Sequence, residues 1–450
     1  MLDKYTEVSS TNFSSATFTP VMVPEKKYCY LGCAGNVAKI INEFNCEVFL
    51  ISAIGKKLNT IEAICKNENI NIEFSVYFNG FKQSKKRYIN GNQHCFRLDN
   101  CDRVDYPKYK TEIKNNFKLC IENNKIDVVV IADYQLGFCD GAKDVIKISK
   151  SRGVKVVVDP FNGSDLSKYE GCDVLKPNKS ELERLSGTKV AENQELVKCA
   201  GKVVEEIGAE LIVVTLGDQG IFAYGKTGIS IFVPAIKKEY LDVTGAGDTV
   251  NSIIALGMTN KLPIKDVCEI ANLYASLFIK KKGTPKLYFY EVFEALDTPV
   301  ELSLSELTVL TGYLKKYEKL KIGVTTGCFD IFHTGHLMSL KHARNNCDLL
   351  VVLLNSDESV QKLKGRSRPV NSLKHRKSLL KNLSFIDLVC VFHTKDAGDV
   401  FDQIHFDVLF KGGDKDLKRL ERKYPKVDVV LSDKYENISS SLIINRIKNS

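Results

Sequence analysis

The sequence predicts an α/β protein built from two doubly wound units in series. Short apolar runs rich in β-branched residues alternate with longer segments of helical period. The runs are Val128–Ile131, Val154–Val158 and Leu211–Thr215 in the first part, and Gly323–Thr326, Leu349–Leu354 and Asp387–Phe392 in the second. Each ends in a Gly, Asp or Asn turn, and repeated strand–turn–helix units of this kind form parallel sheets covered by helices on both faces. A second observation is the break in the pattern between residues 290 and 320, and no low-complexity block or short repeat interrupts either side.

The 450 residues suit about three domains or two larger ones. Tyr288–Glu294 reads as the end of one unit, and Leu296-Asp297-Thr298-Pro299-Val300 breaks the pattern. Residues 303–320 read as a helix with Ser303 or Ser305 as N-cap, and a new strand opens at Lys321. The expected organisation is a first domain over 1–297, a helical connector over 298–317 and a second domain over 318–450. A doubly wound domain usually opens with an apolar strand, but this chain begins Met1-Leu2-Asp3-Lys4-Tyr5, and its next clear strand-like run is far downstream.

Hydrophobic residues make up 44% and charged residues 26%, which excludes a largely disordered chain. No run reaches the ~18–20 apolar residues of a membrane span. The amino terminus lacks the basic and apolar stretches of a secretory signal. The 14 cysteines are scattered without metal-like pairing, as in a reducing cytoplasm. The excess of 64 Lys+Arg over 55 Asp+Glu, +9, suits phosphorylated ligands or nucleic acid and is equally ordinary for a basic protein.

The first chemical constellation is Asp242-Val243-Thr244-Gly245-Ala246-Gly247-Asp248-Thr249, followed by an apolar helical pattern. The small residues let backbone amides approach an anion, and a helix starting there adds its positive end. A carboxylate beside such a nest can take the proton of a hydroxyl that attacks a phosphoryl group. The bland alternative is a Gly-rich turn that only links a strand to a helix.

DVTGAGDT resembles the signature of the ribokinase-like (PfkB) sugar kinases. Gly32-Cys33-Ala34-Gly35-Asn36 resembles that family's early sugar-binding turn, Lys176-Pro177-Asn178-Lys179-Ser180-Glu181 its PNxxE element, and Thr215-Leu216-Gly217-Asp218-Gln219-Gly220 its TxGxxG turn. The resemblance implies Asp248 as general base and the amides of Gly245, Ala246 and Gly247 as an anion hole. It implies Asn178, Glu181, Thr215, Gly217, Gly220 and Asn272 around ATP and magnesium, and Asp3, Gly32, Asn36 and Arg87 around the sugar.

The second constellation lies in KIGVTTGCFDIFHTGHLMSL, residues 321–340, where a strand runs into Gly327-Cys328-Phe329-Asp330 and His333-Thr334-Gly335-His336 opens a helix. Histidines three apart share a helix face. They could bind a metal, although no third ligand has zinc-like spacing. They could instead donate to a phosphate at the helix start, or simply be surface residues. Between Gln361 and Asn382 stand eight Lys/Arg and no Asp/Glu. The run reads as phosphate-facing, with a solvated face or a nucleic-acid patch as alternatives.

GCFDxxHxGH resembles the HxGH nucleotidyltransferases. Catalysis by His333 and His336, and nucleotide binding by Gly327, Cys328, Phe329, Asp330, Lys364, Arg376, Gly412, Gly413, Asp414, Ser439, Ser440 and Ser441, follow from that likeness. A PfkB kinase followed by such a domain resembles the family of bifunctional heptose 7-phosphate kinase/heptose 1-phosphate adenylyltransferases. The implied fold is a ribokinase-like domain followed by a smaller Rossmann-like one. The implied partners are ATP with Mg2+, a phosphorylated heptose and a second copy in a homodimer, with no nucleic acid and no membrane. Met1–Tyr5 matches the end of that family's opening strand and turn, so a strand ahead of it is expected to be lacking. Asp133-Tyr134-Gln135-Leu136-Gly137 and Asp159-Pro160-Phe161-Asn162-Gly163 each lack a lysine of the family pattern. The alternative is an adenylyl- or cytidylyltransferase active only through its second domain, with a non-catalytic kinase-like first half.

Overall fold

The computed structural model describes the chain except residues 57, 58, 92, 162–164, 237–242, 282, 284, 285, 288–290, 293–298, 319, 395, 413–416, 432–442, 445, 446 and 448–450, and the side chains of 10–12, 59, 317 and 417. It divides into two compact units, Met1–Leu287 and Tyr288–Ser450.

The elements of the first unit, in chain order, are β1 (Leu2–Phe13), β2 (Pro20–Leu31), α1 (Ala34–Glu43), β3 (Ala53–Gly55), α2 (Asn59–Asn67), β4 (Val76–Phe78), β5 (Gln83–Asn90), β6 (Gln93–Cys101), α3 (Tyr106–Asn123), β7 (Val128–Ala132), α4 (Ala142–Ser151), β8 (Lys155–Asp159), β9 (Val174–Leu175), α5 (Lys179–Ser186), α6 (Asn193–Ile207), β10 (Leu211–Thr215), β11 (Gly220–Gly225), β12 (Ser230–Pro234), α7 (Ala246–Thr259) and α8 (Ile264–Phe278). A six-stranded sheet has the order β12-β11-β10-β9-β8-β7. It is parallel from β7 to β10 and antiparallel beyond. A four-stranded sheet, β2-β1-β5-β6, and a short parallel pair, β3-β4, complete the unit.

The apolar runs are strands because both faces are covered. Val156, Val157 and Val158 of β8 are fully buried, and the core beneath them is filled by Leu182, Val203, Ile207 and Ile212. Near-continuous apolar sequence is what a doubly covered parallel strand requires.

The opening differs from expectation. Residues 2–13 and 20–31 form a long antiparallel ribbon although their sequence is largely polar. Among the described residues of the ribbon only Leu2, Asp3, Tyr5, Val8 and Leu31 are buried, and most of β2 faces solvent. An exposed ribbon needs no buried face, so it leaves little hydrophobic period to detect.

The second unit contains β13 (Val300–Leu302), α9 (Leu304–Tyr313), β14 (Ile322–Gly327), α10 (Thr334–Asn345), β15 (Leu349–Asn355), α11 (Asp357–Lys364), α12 (Leu373–Leu380), β16 (Leu388–Phe392), α13 (Gly398–Phe401), β17 (Val408–Lys411), α14 (Leu417–Lys423) and β18 (Asp428–Leu431). Its parallel sheet runs β13-β16-β15-β14-β17-β18. Strand order reverses beside β14, and ligands of open α/β sheets bind at such a switch point beyond the strand carboxyl ends. Residues 300–313, expected within a connector, supply this unit's edge strand and a helix that buries Leu307 and Thr311. Ser303 caps that helix, its hydroxyl accepting from the Glu306 amide at 3.3 Å.

Candidate active sites

In the first unit, Gly245 caps α7 with φ +88°, a conformation open to glycine and strained for other residues. A Cβ there would also stand 2.7 Å from the Phe278 ring and 2.9 Å from the Asn36 amide. The turn therefore carries Ala246, Gly247 and Asp248 into the first turn of the helix, where free amides and the helix dipole favour an anion.

Asp248 is buried and held from two sides. The Asn36 amide donates to it at 2.8 Å, and the Tyr134 hydroxyl at 2.7 Å. Burial raises its carboxyl to about 6, although both hydrogen bonds work in the other direction. Burial likewise raises Asp159 to about 6. Lys176 pairs with Asp159 at 3.0 Å, and its ammonium lies 3.7 Å from where a Cβ on Gly247 would stand. A cation thus faces the amide nest. The Tyr134 hydroxyl, buried against Asp248, is held well above its usual range, so it stays protonated and donates.

The expected sugar residues gather nearby through β1 and β5. Asp3 and Arg87 form a buried ion pair at 2.9 Å. A Cβ on Gly32 would stand 2.7 Å from the Asp3 carboxylate, so only glycine allows that close approach. Asn36, on α1, reaches Asp248 rather than open solvent.

The expected nucleotide residues have local duties. Asn178 and Glu181 form a reciprocal capping box at the start of α5, with distances of 2.9 and 2.7 Å. Thr215 ends β10 and bridges to Asn178; Gly217 and Gly220 shape the turn into β11. The buried Asn272 amide donates to the Pro234 carbonyl at 2.7 Å. Of the segments lacking family lysines, Asp133 is held by an ion pair with Lys168 and by the Tyr169 hydroxyl at 2.7 Å. Asp242, Asn162 and Gly163 lie outside the described residues.

In the second unit, β14 delivers Gly327 to the carboxyl edge of the sheet, and His333 caps α10. The His333 amide donates to His336 Nδ1 at 3.4 Å, which places the His336 proton on Nε2. The two rings are 3.9 Å apart, and Phe329 and Phe332 flank His336. Burial, then the neighbouring His333 and Lys364, lowers His336 to about 4; burial lowers His333 as well. Both imidazoles are neutral at pH 7 and can donate without carrying charge. Among the described residues no group of three His, Cys, Asp or Glu could hold a metal ion.

Two residues expected on the nucleotide are instead committed to the protein. Asp330 accepts from the Arg368 guanidinium and from the amides of Val370 and Asn371 at 2.8 Å. Arg376 is fully buried; it donates to the carbonyls of Cys328 at 2.7 Å, Asn355 at 2.8 Å and Asn371 at 3.0 Å, and to Asp357 at 2.7 Å. With these donors engaged, Arg376 fixes the Cys328 turn. Lys377 and Lys381 face Glu301. The basic run is therefore protein-facing at Arg368, Arg376, Lys377 and Lys381, which corrects the uniform phosphate-facing expectation. Cys328, Phe329, Lys364 and Gly412 stand around the His336 turn or at the end of β17. Gly413, Asp414, Ser439, Ser440 and Ser441 lie outside the described residues.

Sequence reasoning gave no role to Tyr134, Lys176 or Asp159. Lys176 was visible beside the PNxxE string. The other two sit at strand ends, where only the folded sheet shows what they face.

The pfkB family carbohydrate kinase model matches residues 14–287, and the cytidylyltransferase-like model matches 324–446. The chain is 32% identical to the bifunctional protein HldE of Helicobacter hepaticus, over all of this chain and 95% of that one. It is 33% identical to HldE of Campylobacter jejuni, again over 100% and 95%. Among solved structures, phosphofructokinase-2 from Escherichia coli in complex with potassium aligns with 65% of this chain and 93% of its own, at a TM-score of 0.55 and 17% identity. That likeness shows the ribokinase-like fold of the first unit. The reading with a purely non-catalytic first half is not favoured, because bifunctional relatives match the whole length of the chain. The chain belongs to the family of bifunctional HldE proteins, a pfkB-type carbohydrate kinase joined to a cytidylyltransferase-like nucleotidyltransferase.

Proposed function

We propose that the first unit phosphorylates heptose 7-phosphate at its anomeric hydroxyl and that the second transfers an adenylyl group from ATP to heptose 1-phosphate. In the first step Asp248 accepts the hydroxyl proton as that oxygen bonds to the γ-phosphorus of ATP; the bond to the β-phosphate oxygen breaks and ADP leaves. The amides of Gly245, Ala246 and Gly247, with Lys176, stabilise the transferring charge. In the second step a phosphate oxygen of the sugar 1-phosphate bonds to the α-phosphorus, the bond to the β-phosphate breaks and pyrophosphate leaves. His336 donates from Nε2 to the developing charge, and His333 supports it.

The magnesium ion of this reading arrives with ATP. Glu181 and Asp159, both with raised carboxyl pKa values through burial, are the side chains that would hold it. Bound there, magnesium would neutralise phosphate charge. A cytoplasmic enzyme acting as a homodimer completes the reading. Val21, Val23, Phe96 and Leu98, exposed on the outer strands β2 and β6, offer the apolar surface for the second copy.

The observation that carries the proposal is the pairing of a doubly held Asp248 with the amide nest. The test supplies the purified chain with magnesium, ATP and heptose 7-phosphate, then heptose 1-phosphate, and follows ADP and pyrophosphate separately. Asp248→Asn should lower ADP release by about 10²–10⁴-fold and leave pyrophosphate release unchanged. His336→Ala should do the reverse, by about 10²–10³-fold. Wild-type rates in either variant for its own half-reaction would refute the assignment.

A further inference from the structure

Arg368 and Arg376 stand on the same basic stretch and both donate to a carboxylate, yet their guanidinium groups end differently. Arg376 places all three nitrogens on protein oxygens: Nε on the Asn371 carbonyl, Nη1 on the Cys328 and Asn355 carbonyls, and Nη2 on Asp357. Arg368 places Nε on Asp330, while its Nη2 is buried with no hydrogen-bond partner among the described residues. The side chain is only 11% exposed. A buried donor on a charged group carries the full desolvation penalty when unpaired, so an orphan of this kind marks a place that a ligand can satisfy.

Arg368 is not free to swing away and pair elsewhere. Asp330, itself 2% exposed, accepts from the guanidinium and from the amides of Val370 and Asn371 at 2.8 Å. The Asn371 side-chain amide donates in turn to the Asp330 carbonyl at 2.5 Å. Residues 368–371 are thereby clamped onto the turn at 327–330, which follows β14 at the switch point of the sheet. A guanidinium is a rigid planar fork, so fixing Nε also fixes the direction of Nη2.

The local charge says what kind of ligand fits. Burial raises the Cys328 thiol, and Lys364, Arg376 and Arg368 oppose it, so three cations stand around this turn. Asp357 offsets Arg376, and Asp330 engages one side of Arg368. Both histidines are neutral and bring no positive charge. Magnesium offsets only part of the charge of a triphosphate, and the rest is met by fixed cations of the protein. With Arg376 committed to the protein, Lys364 and Arg368 are the cations left beside His336. His336 serves the α-phosphate in the reading above, which leaves the β- and γ-phosphates to them.

We propose that Arg368, aimed by its ion pair with Asp330, is a phosphate-binding residue of the nucleotidyl-transfer site, its Nη2 donating to the β- or γ-phosphate of ATP and then to the pyrophosphate that leaves. This rests on the nucleotidyl-transfer reading of the second unit; the identity of the accepting sugar does not enter it.

The test uses Arg368→Gln and Arg368→Lys in the full chain. The first readout needs no sugar. Magnesium pyrophosphate is added, and chemical unfolding is followed at the transition of the second unit. Pyrophosphate should raise that transition in the parent chain and hardly move it in either variant. The second readout is steady-state pyrophosphate release. In Arg368→Gln the KM for ATP and the inhibition constant of pyrophosphate should both rise by about 10–100-fold, as for one charged hydrogen bond, while the KM for heptose 1-phosphate moves by less than about twofold. ADP release from heptose 7-phosphate should be unchanged. Arg368→Lys keeps a cation opposite Asp330 without the fork, so it should stay folded and still weaken ATP by about fivefold or more; where Arg368→Gln loses the second transition, this variant carries the test. Unchanged ATP and pyrophosphate affinities in a folded variant would overturn the proposal, as would a parent chain whose second transition ignores pyrophosphate. A rise confined to the KM for heptose 1-phosphate would overturn it and move Arg368 to the acceptor's phosphate. Pyrophosphate that stabilises the parent but not the variants, in a chain releasing none from ATP and heptose 1-phosphate, would uphold the phosphate site and sink the choice of acceptor.

Discussion

Asp248 and His336 occupy equivalent places, each in the first turn of a helix, and burial acts on them in the same physical way. In both it favours the neutral form. For a carboxyl this means a pKa raised to about 6, a stronger base poised near neutrality. For an imidazole it means a pKa lowered to about 4, a neutral donor that never becomes a cation in the working range. One unit uses desolvation to build a proton acceptor, the other to build a hydrogen-bond donor. The sheets differ as well. Leu349–Leu354 of β15 are all fully buried, whereas Val128, Val129 and Val130 of β7 are only half-buried beside a cavity.

The largest effect that sharpens this contrast is expected at Arg376. Arg376→Ala leaves Asp357 and the carbonyls of Cys328, Asn355 and Asn371 without their partner and should destabilise the second unit by about 3–5 kcal/mol. Chemical unfolding that resolves the two units would show it, and an unmoved second transition would break the account of the staple. Leu353→Ala in the closed sheet should cost about 2–5 kcal/mol. Val130→Ala at the open edge should cost under about 1.5 kcal/mol, since it starts half-solvated; equal losses would contradict the difference between the sheets. Tyr134→Phe removes one donor from Asp248 and should lower ADP release about 2–10-fold with pyrophosphate release unchanged. Smallest is Lys377→Ala, which breaks a half-exposed pair with Glu301; stability should move by less than about 0.5 kcal/mol and pyrophosphate release should stay the same. A large loss of pyrophosphate release there would return the basic run to the phosphate.

The central strands β8, β10, β14 and β15 were legible because double burial writes an uninterrupted apolar run. DVTGAGDT and HTGH were legible because an amide nest tolerates few residue types. The opening ribbon was not, because solvent on most of β2 removes the periodic signal. Arg376 and Asp330 were placed on the nucleotide by the family likeness, and a charged residue reads the same in sequence whether its partner is a phosphate or a protein group distant in sequence. Tyr134 lay in a segment matched to the family pattern, but nothing local marked its bond to Asp248, which exists only because β7 ends opposite α7.

The most direct test of the contrast is the pH profile of both half-reactions on the same protein between pH 5 and 8. Asp248 accepts a proton only when ionised, so ADP release should fall as pH drops through about 6, by about tenfold per unit below it. His336 is already neutral above about 4, so pyrophosphate release should stay flat across the range. Two profiles falling together near pH 6, or ADP release indifferent to pH, would contradict the account.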